Sequence, residues 1–429
     1  MKAARRMRRG FHRDSDRSPV CLIRKDGGEC MVKYIIKRLF QSLLVILLVV
    51  CVVFSLLRLM PSDYFFTEDE LIKFTEAQKY SKLERLGLMQ ICTDCGGTGL
   101  DENGEACHTC RENELAMKGT GYEPRSILAQ LGDFFRDILQ VRVFNAKGKE
   151  VKSIEPMNLF SYLSQKAKGE GDPFGELKEG YYTKVKFNLG KSIRLEKNQY
   201  VTDVIAAKMP VSMRIGLIAL AVSLVLGVVL GVLQARFKDK LFDQIGIGYT
   251  VIVNAVPKLV TYTIIMIAGA SLLGLPMRYD ATAEKPWLTM VLPVLCLSVA
   301  STAGYMLWTR RYMVDELNKD YIRLAKLKGL SDRKVMFRHV LKNAFVPLAQ
   351  YLPASILLTV GGSLLVETFF AVPGMGPELT TSISRYDLNL VQGIVLLYAT
   401  MGIFGVFLGD LLMTLIDPRI KLTGKGDVR

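Results

Sequence analysis

The chain has 429 residues and a formal net charge of +15; half of its residues are apolar and 23% are charged. Both classes at that level have to be segregated along the chain, which is a membrane pattern, and long uncharged runs override the two or three soluble domains that length alone would suggest. Because the basic residues flank hydrophobic runs, the positive charge reads as Lys and Arg on cytoplasmic loops, and a nucleic-acid surface is set aside.

Residues 1–33 form a basic, non-apolar tail, and the second methionine, Met31, reads as the true start. The first apolar run is too long for a signal-peptide core and has no small-residue cleavage site after it, so residues 34–60 stay as a membrane anchor centred on Leu39–Leu57. Ile215–Ala235, Trp287–Trp308, Ala344–Val366 and Leu388–Gly409 are equally free of charge. A helix of roughly 20 residues crosses a hydrocarbon core of about 30 Å. Gln244–Met277 is apolar except for Lys258, which follows Pro257, and reads as one further span with a kink or break inside. The expected fold is an all-α polytopic membrane protein with six transmembrane helices, a permease-like core over 208–417 and a short tail over 418–429.

Orientation follows from the short loops. Arg236, Lys238 and Lys240 follow the second span, and the loop 309–343 is crowded with Lys and Arg. The alternate connections hold only Arg278, Lys285 and Arg385. By the positive-inside rule both termini are cytoplasmic, in a plasma (inner) membrane. Residues 61–207 then lie outside, long enough to fold separately. Within them Glu68–Leu88 and Ile127–Leu139 have helical apolar spacing, and Phe144–Gly180 reads as a loop or a small strand-containing insert.

An insertion at about 91–121 carries Cys92-Thr-Asp-Cys95 and Cys107-His-Thr-Cys110. Two C-x-x-C pairs in tandem present four sulfurs to one tetrahedral Zn²⁺, and Gly96-Gly97-Thr98-Gly99 lets the backbone turn tightly. Cys92 to Gly99 resembles one zinc-region repeat of DnaJ-type chaperones, although the second pair lacks the glycines, so no chaperone activity is carried over. Structural zinc, two disulfides and a redox role all stay open, because the topology places these thiols outside. Cys21, Cys30, Cys51 and Cys296 show no pairing pattern.

The loop after the fourth span runs Asp315-Glu316-Leu317-Asn318-Lys319-Asp320-Tyr321-Ile322-Arg323-Leu324-Ala325-Lys326-Leu327-Lys328-Gly329-Leu330-Ser331. It predicts a short helix stopped by Gly329, then a second helix capped at Ser331 or Asp332. This stretch resembles the "EAA" loop of binding-protein-dependent ABC importer permeases of the oligopeptide, dipeptide and nickel branch. The likeness extends over Lys37-Arg38-Leu39, Leu57 to Asp63, Asn188-Leu189-Gly190-Lys191-Ser192, Val201 to Ile205, Val366-Glu367-Thr368-Phe369-Phe370, Val372 to Gly376, Val391-Gln392-Gly393 and Asp417-Pro418-Arg419-Ile420.

The resemblance implies half of a pore: a permease paired with a second, related permease, two cytoplasmic ATPases and an external substrate-binding protein. It makes Asp320, Tyr321, Ile322, Arg323, Leu324, Ala325, Lys326, Gly329 and Leu330 a coupling helix that docks in an ATPase groove, with Tyr321, Ala325 and Gly329 matching the motif and Arg323 and Leu324 departing from its older form. It implies peptide import, with nickel or another small solute as the alternative cargo, and makes the cysteine insertion a stabiliser of the outer face or a dock for the binding protein.

The chain contains no G-x-x-x-x-G-K-[ST] loop, so it is expected to bind no nucleotide and to be a transport subunit rather than an enzyme. A secondary transporter would carry inverted repeats and intramembrane acidic ion sites, and a zinc enzyme would need an open metal position. Lys258, the one charge inside a span, reads either as lining a cavity or as snorkelling at the Pro257 kink. Glu367 joins the tentative pathway set as a family match, and it and Asp410 sit at span ends.

Overall fold

The computed structural model describes residues 27–416 apart from 111, 114–117, 152, 170–171, 176 and 197, and leaves aside the side chains of 27–33, 112–113, 118 and 360. Most of the basic tail, Cys21, the Cys30 side chain and the closing Asp417-Pro418-Arg419-Ile420 match lie outside that description.

In chain order the elements are α1 (Gly27–Arg58), α2 (Glu68–Lys73), α3 (Glu76–Arg85), β1 (Met89–Ile91), β2 (Glu112–Asn113), β3 (Lys118–Gly119), β4 (Tyr122–Pro124), α4 (Ile127–Asp137), β5 (Leu139–Phe144), β6 (Met157–Asn158), α5 (Leu159–Ala167) and β7 (Tyr182–Phe187). The helical body follows with α6 (Val201–Arg236), α7 (Leu241–Ala255), α8 (Lys258–Leu273), α9 (Pro286–Leu317), α10 (Asp320–Leu327), α11 (Asp332–Val335), α12 (Leu341–Val360), α13 (Leu364–Phe369), α14 (Met375–Ser384) and α15 (Leu388–Ile416). A five-residue π-helical turn, Met336–Val340, joins α11 to α12.

Among the described residues, five helical stretches are long and apolar enough to cross a membrane, and α7 with α8 adds a pair bent by 111°. The bend falls at Val256-Pro257. Proline disfavours helical geometry in the residue before it, and Val256 is extended at φ −78°, ψ 131°. Contacts of the pair climb α9 step by step. Asp243 meets Arg310, the Tyr249 hydroxyl donates to the Val299 carbonyl at 2.8 Å, and Gly269 lies against Leu292.

Two helix pairs make the centre, α6 on α9 and α12 on α15. Lipid tails are as apolar as leucine, so helices there associate by close backbone approach through small residues. Each pair uses a G-x-x-x-G: Gly227 and Gly231 in α6, Gly405 and Gly409 in α15. A Cβ on Gly231 would lie 2.6 Å from Thr309 Cβ, and one on Gly409 2.0 Å from the Gln350 carbonyl oxygen. α1 lies against α15, with Arg38 Nη1 3.3 Å from Asp410 Oδ2 and Gln350 donating to Asp410 at 2.9 Å.

Several expectations are corrected. α6 begins at Val201, so the boundary expected at 207/208 falls inside a continuous helix. The span expected over Ala344–Val366 lies within the apolar stretch Asp332–Phe369 but is not one helix: α12 ends at Val360, Gly361-Gly362 follows, and Val366 belongs to α13. Glu68–Leu88 is two helices, because Thr75 starts a second one: Gln78 accepts from the Thr75 N–H at 3.0 Å, as Glu70 accepts from Thr67 at 2.8 Å.

Residues 61–200 form a lobe at the end of the bundle where α1 stops and α6 and α15 start. Phe65, Phe66, Leu83 and Met89 make its core together with Leu388 of α15. Beside them β5 stands between β6 and β7 in an antiparallel sheet, so the expected Phe144–Gly180 insert holds β6 and α5. Buried Arg142 of β5 stacks 3.4 Å over the Tyr200 ring, which ties that sheet to the first turn of α6.

Candidate functional site

At the end away from the lobe, α10 is held as a short rigid piece. Ile322 and Ala325 are buried against Val232 and Ala235 of α6, Met313 of α9, and Val335, Met336, Val340 and Ala344 before and in α12. The Tyr321 hydroxyl donates to Glu316 and accepts from Asn343 Nδ2 at 2.8 Å, bracing α10 to both neighbours. Partial burial and the Glu316 carboxylate push the Tyr321 phenol up to about 12, so it remains a neutral donor. Gly329 ends the helix at φ +79°, in the left-handed region that glycine enters freely, and Leu330 packs back on the cluster.

The face left over is apolar where it meets solvent: Leu324 is 53% and Leu327 85% exposed. Asp320 and Arg323 flank it as an exposed pair at 3.8 Å, and Lys326 reaches Asp332 at 3.5 Å. The predicted coupling set is therefore divided. Ile322 and Ala325 face their own bundle. Leu327, absent from that set, is the most exposed apolar side chain of α10. Its signal was in the sequence, since Leu324 and Leu327 are three apart and Ile322 and Ala325 take the other face.

At the lobe end two buried carboxylates staple distant segments. Asp387, ahead of α15, is fully buried; its oxygens accept from Ser192 Oγ at 2.5 Å and from the backbone N–H groups of Ile193 at 3.1 Å, Arg194 and Leu195 at 2.9 Å each and Leu390 at 3.3 Å. Arg194 then donates to the Arg385 carbonyl at 3.2 Å and to the Phe66 carbonyl. Glu367 of α13 accepts from Ser363 N–H at 3.0 Å, Gly376 N–H at 2.9 Å and Ser212 Oγ of α6 at 3.0 Å. It is 1% exposed, and any Cβ on Gly362 or Gly374 would collide with it. Glu367 thus ties α6, α13 and α14 together through three hydrogen bonds.

Lys258 is the first residue of α8, exposed at the 111° break beside Pro257. The geometry places it at the kink and brings no acidic partner to it among the described residues. Asp387, Ser212, Asn343 and the Asp243–Arg310 pair, with contacts at 2.6 and 2.7 Å, were not singled out by sequence reasoning. They are ordinary polar residues near span ends, and only their partners, up to 195 positions away, distinguish them.

The four cysteines of the insertion between β1 and β4 converge, with all their Sγ atoms within 4.8 Å of one another and all four side chains buried. Cys95 lies 3.1 Å from Cys110 and accepts from the Gly99 N–H at 3.3 Å; the Cys110 thiol and that N–H hold Cys95 low, at about 6, while burial pushes Cys110 up. The insertion is closed at its base by the β1–β4 pair.

Comparison with known proteins bears on the helical body. Residues 227–422 match the family described as "Binding-protein-dependent transport system inner membrane component". The chain is 39% identical over 211 residues to an oligopeptide transport system permease protein, AmiC, of Streptococcus pneumoniae, covering 49% of this chain and 42% of that one. It is 34% identical over 242 residues to a dipeptide transport system permease protein, DppB, of Bacillus subtilis, covering 56% and 77%. It is 33% identical over 228 residues to an oligopeptide transport system permease protein, OppB, of Haemophilus influenzae, covering 52% and 73%. The chain thus spans less than half the length of the pneumococcal relative and about three quarters of the other two. With a multi-pass helical body and these matches, the chain belongs to the inner-membrane permeases of binding-protein-dependent ABC transport systems, in the OppB/DppB-like group.

Proposed function

We propose that the chain forms one half of the pore of an ATP-driven importer that receives peptides from an external binding protein and releases them inward. Its partners are a second, related permease and two cytoplasmic ATPases, which hydrolyse the ATP that this chain does not bind. The relatives are named for oligopeptides and dipeptides, which favours peptide over nickel or another small solute. The six-span reading is supported by the way α7 and α8 climb α9 from Arg310 to Leu292, as one span broken at Pro257 would. With six spans and the basic loops inside, both termini and α10 are cytoplasmic and the lobe is outside.

The observation that carries this reading is α10 itself: buried on one face, braced through Tyr321 and bare at Leu324 and Leu327 on the other. A rigid, amphipathic helix below the membrane fits a groove in a soluble partner, and burying two leucines there contributes about 1.5–3 kcal/mol each. Closure of the ATPases would then move α10 as a body and, through the cluster around Met313 and Val340, turn α9 and α12 between inward- and outward-open arrangements.

The test is labelled-peptide uptake by cells that carry the transporter with Leu324→Asp and Leu327→Asp together. The altered side chains point away from the bundle, so the chain is expected at wild-type levels in the membrane, with uptake lost and the ATPases no longer co-purifying. Wild-type uptake would overturn the docking role of this face.

A further inference from the structure

The insertion between β1 and β4 has an internal problem of physical chemistry. An insertion of this size needs something to hold it, and its only buried cluster among the described residues is the four cysteines, with no aliphatic or aromatic side chain among them. Small folds without an apolar core depend on a cross-link or a metal. The sulfurs form one cluster: Cys92 lies 3.9 Å from Cys107 and Cys95 3.1 Å from Cys110, each sulfur facing one from the other C-x-x-C. Four thiolates at about 2.3 Å from one Zn²⁺ in a tetrahedron stand about 3.8 Å apart, so the cluster is of the size one ion requires.

The backbone around it is built to the same scale. Gly97 and Gly99 turn at φ +91° and +73°. A Cβ on Gly99 would lie 2.1 Å from the Gly119 carbonyl oxygen, and one on Gly121 2.4 Å from that of Gly97. Gly99 donates its N–H to Cys95 Sγ, and its carbonyl accepts from the N–H groups of Cys107 and Gly119 at 3.1 and 3.0 Å. The two loops meet backbone to backbone, leaving the sulfur cluster as the centre around which both are wrapped. Amide-to-sulfur bonds of this kind orient and stabilise a metal-bound thiolate.

We propose that Cys92, Cys95, Cys107 and Cys110 hold a structural Zn²⁺ in a closed tetrathiolate site, and that this ion seats the lobe on the outer ends of the first and last membrane helices. The lobe's base carries the consequence. β1 and β4 pair Met89 with Pro124 and Ile91 with Tyr122; Met89 is buried with Phe65, Phe66 and Leu388, and Tyr122 stacks on Tyr80 at 5.8 Å. Leu57 and Met60, at the end of α1, pack on the same cluster. An ion that fixes the two loops fixes the register of β1 on β4, and with it the apolar joint between α1 and α15. On binding, four thiols give up their protons to solvent and four Zn–S bonds form, with no change of oxidation state. All four ligand positions are filled by protein, so the ion has no position left for catalysis. The inference does not depend on what the permease carries.

The experiment uses the full chain purified in detergent without chelator or added metal. Elemental analysis is expected to find one zinc per chain, and none in Cys95→Ser/Cys110→Ser. Stripping the ion and adding Co²⁺ alone to the wild-type chain is expected to give an intense sulfur-to-cobalt charge-transfer band with the ligand-field bands of a tetrahedral ion, a readout that stands even if the variant fails to fold. Removing the zinc is expected to raise protease cleavage between Cys92 and Gly121 by more than roughly tenfold, because binding energy at such sites is folding energy. A zinc-free chain with four freely titrating thiols would overturn the proposal. So would an intact mass four hydrogens light, which marks two disulfides.

Discussion

The two ends of the helical bundle are built on opposite principles. At the lobe end, Asp387 and Glu367 are buried and accept hydrogen bonds from serines 195 and 155 positions away, and glycines pack against the Glu367 carboxylate. At the other end apolar contacts around Met313 and Val340 stand beside one buried ion pair, Asp243–Arg310, and the short α10 leaves two leucines uncovered. A buried charge with all its donors in place is a precise, costly joint; a bare apolar face is an unfinished one. The difference teaches that the lobe end is joined within one chain, while the α10 end keeps an apolar face that the proposed ATPase would cover.

The largest effect should come from breaking the finished joint. Asp387→Ala takes the shared acceptor from the N–H groups of Ile193, Arg194 and Leu195 and from Ser192 Oγ, and at up to about 1–3 kcal/mol for each group left unsatisfied the loss should exceed any other single change discussed here. The expected outcome is a steep fall in the Tm of the purified chain and in its yield from the membrane; an unchanged Tm would show that the lobe end is not locked as described.

Next in size is the packing between the two ends. Gly409→Val drives a side chain into the Gln350 carbonyl at the α12–α15 crossing, and overpacking of this kind costs about 1–3 kcal/mol or more. Thermal unfolding of the purified variant against Gly402→Val, whose added Cβ meets only Leu358 at 3.7 Å, checks it: Gly409→Val should be markedly the worse. The smallest effect belongs to the unfinished end. Tyr321→Phe loses the bonds to Glu316 and Asn343, about 0.5–1.5 kcal/mol each, and should barely move the Tm while weakening the coupling of ATP hydrolysis to peptide uptake. A fall in Tm as large as that of Asp387→Ala would erase the contrast between the ends.

Much of the molecule is legible in one dimension. Uncharged runs of about 20 residues locate membrane helices, because a backbone in lipid must satisfy its own hydrogen bonds. Gly329 and the Pro257 break mark a helix end and a bend through local backbone preferences, and both C-x-x-C pairs announce a sulfur cluster. The expected α10 and its stop agree with the structure, as does the break between the helices on either side of Pro257. The extended start of α6, the extended end of α9 and the split at Thr75 were less visible: helices continue past the apolar run wherever tertiary contacts carry them, and a capping box competes with an unbroken amphipathic pattern.

What the tertiary structure alone decided is which side chains face one another. Nothing near Asp387 in the sequence names Ser192, and nothing near Glu367 names Ser212; a carboxylate at a span end reads as solvated until the chain folds back and brings donors to it. The same holds for α10, where spacing separates two faces but only the cluster around Met313 tells which is inside. Hydrophobic runs and turn residues act over a few positions, so composition and spacing determine them. Burial, charge pairing and the face left bare are set by contacts across the whole chain, and those exist only in the fold.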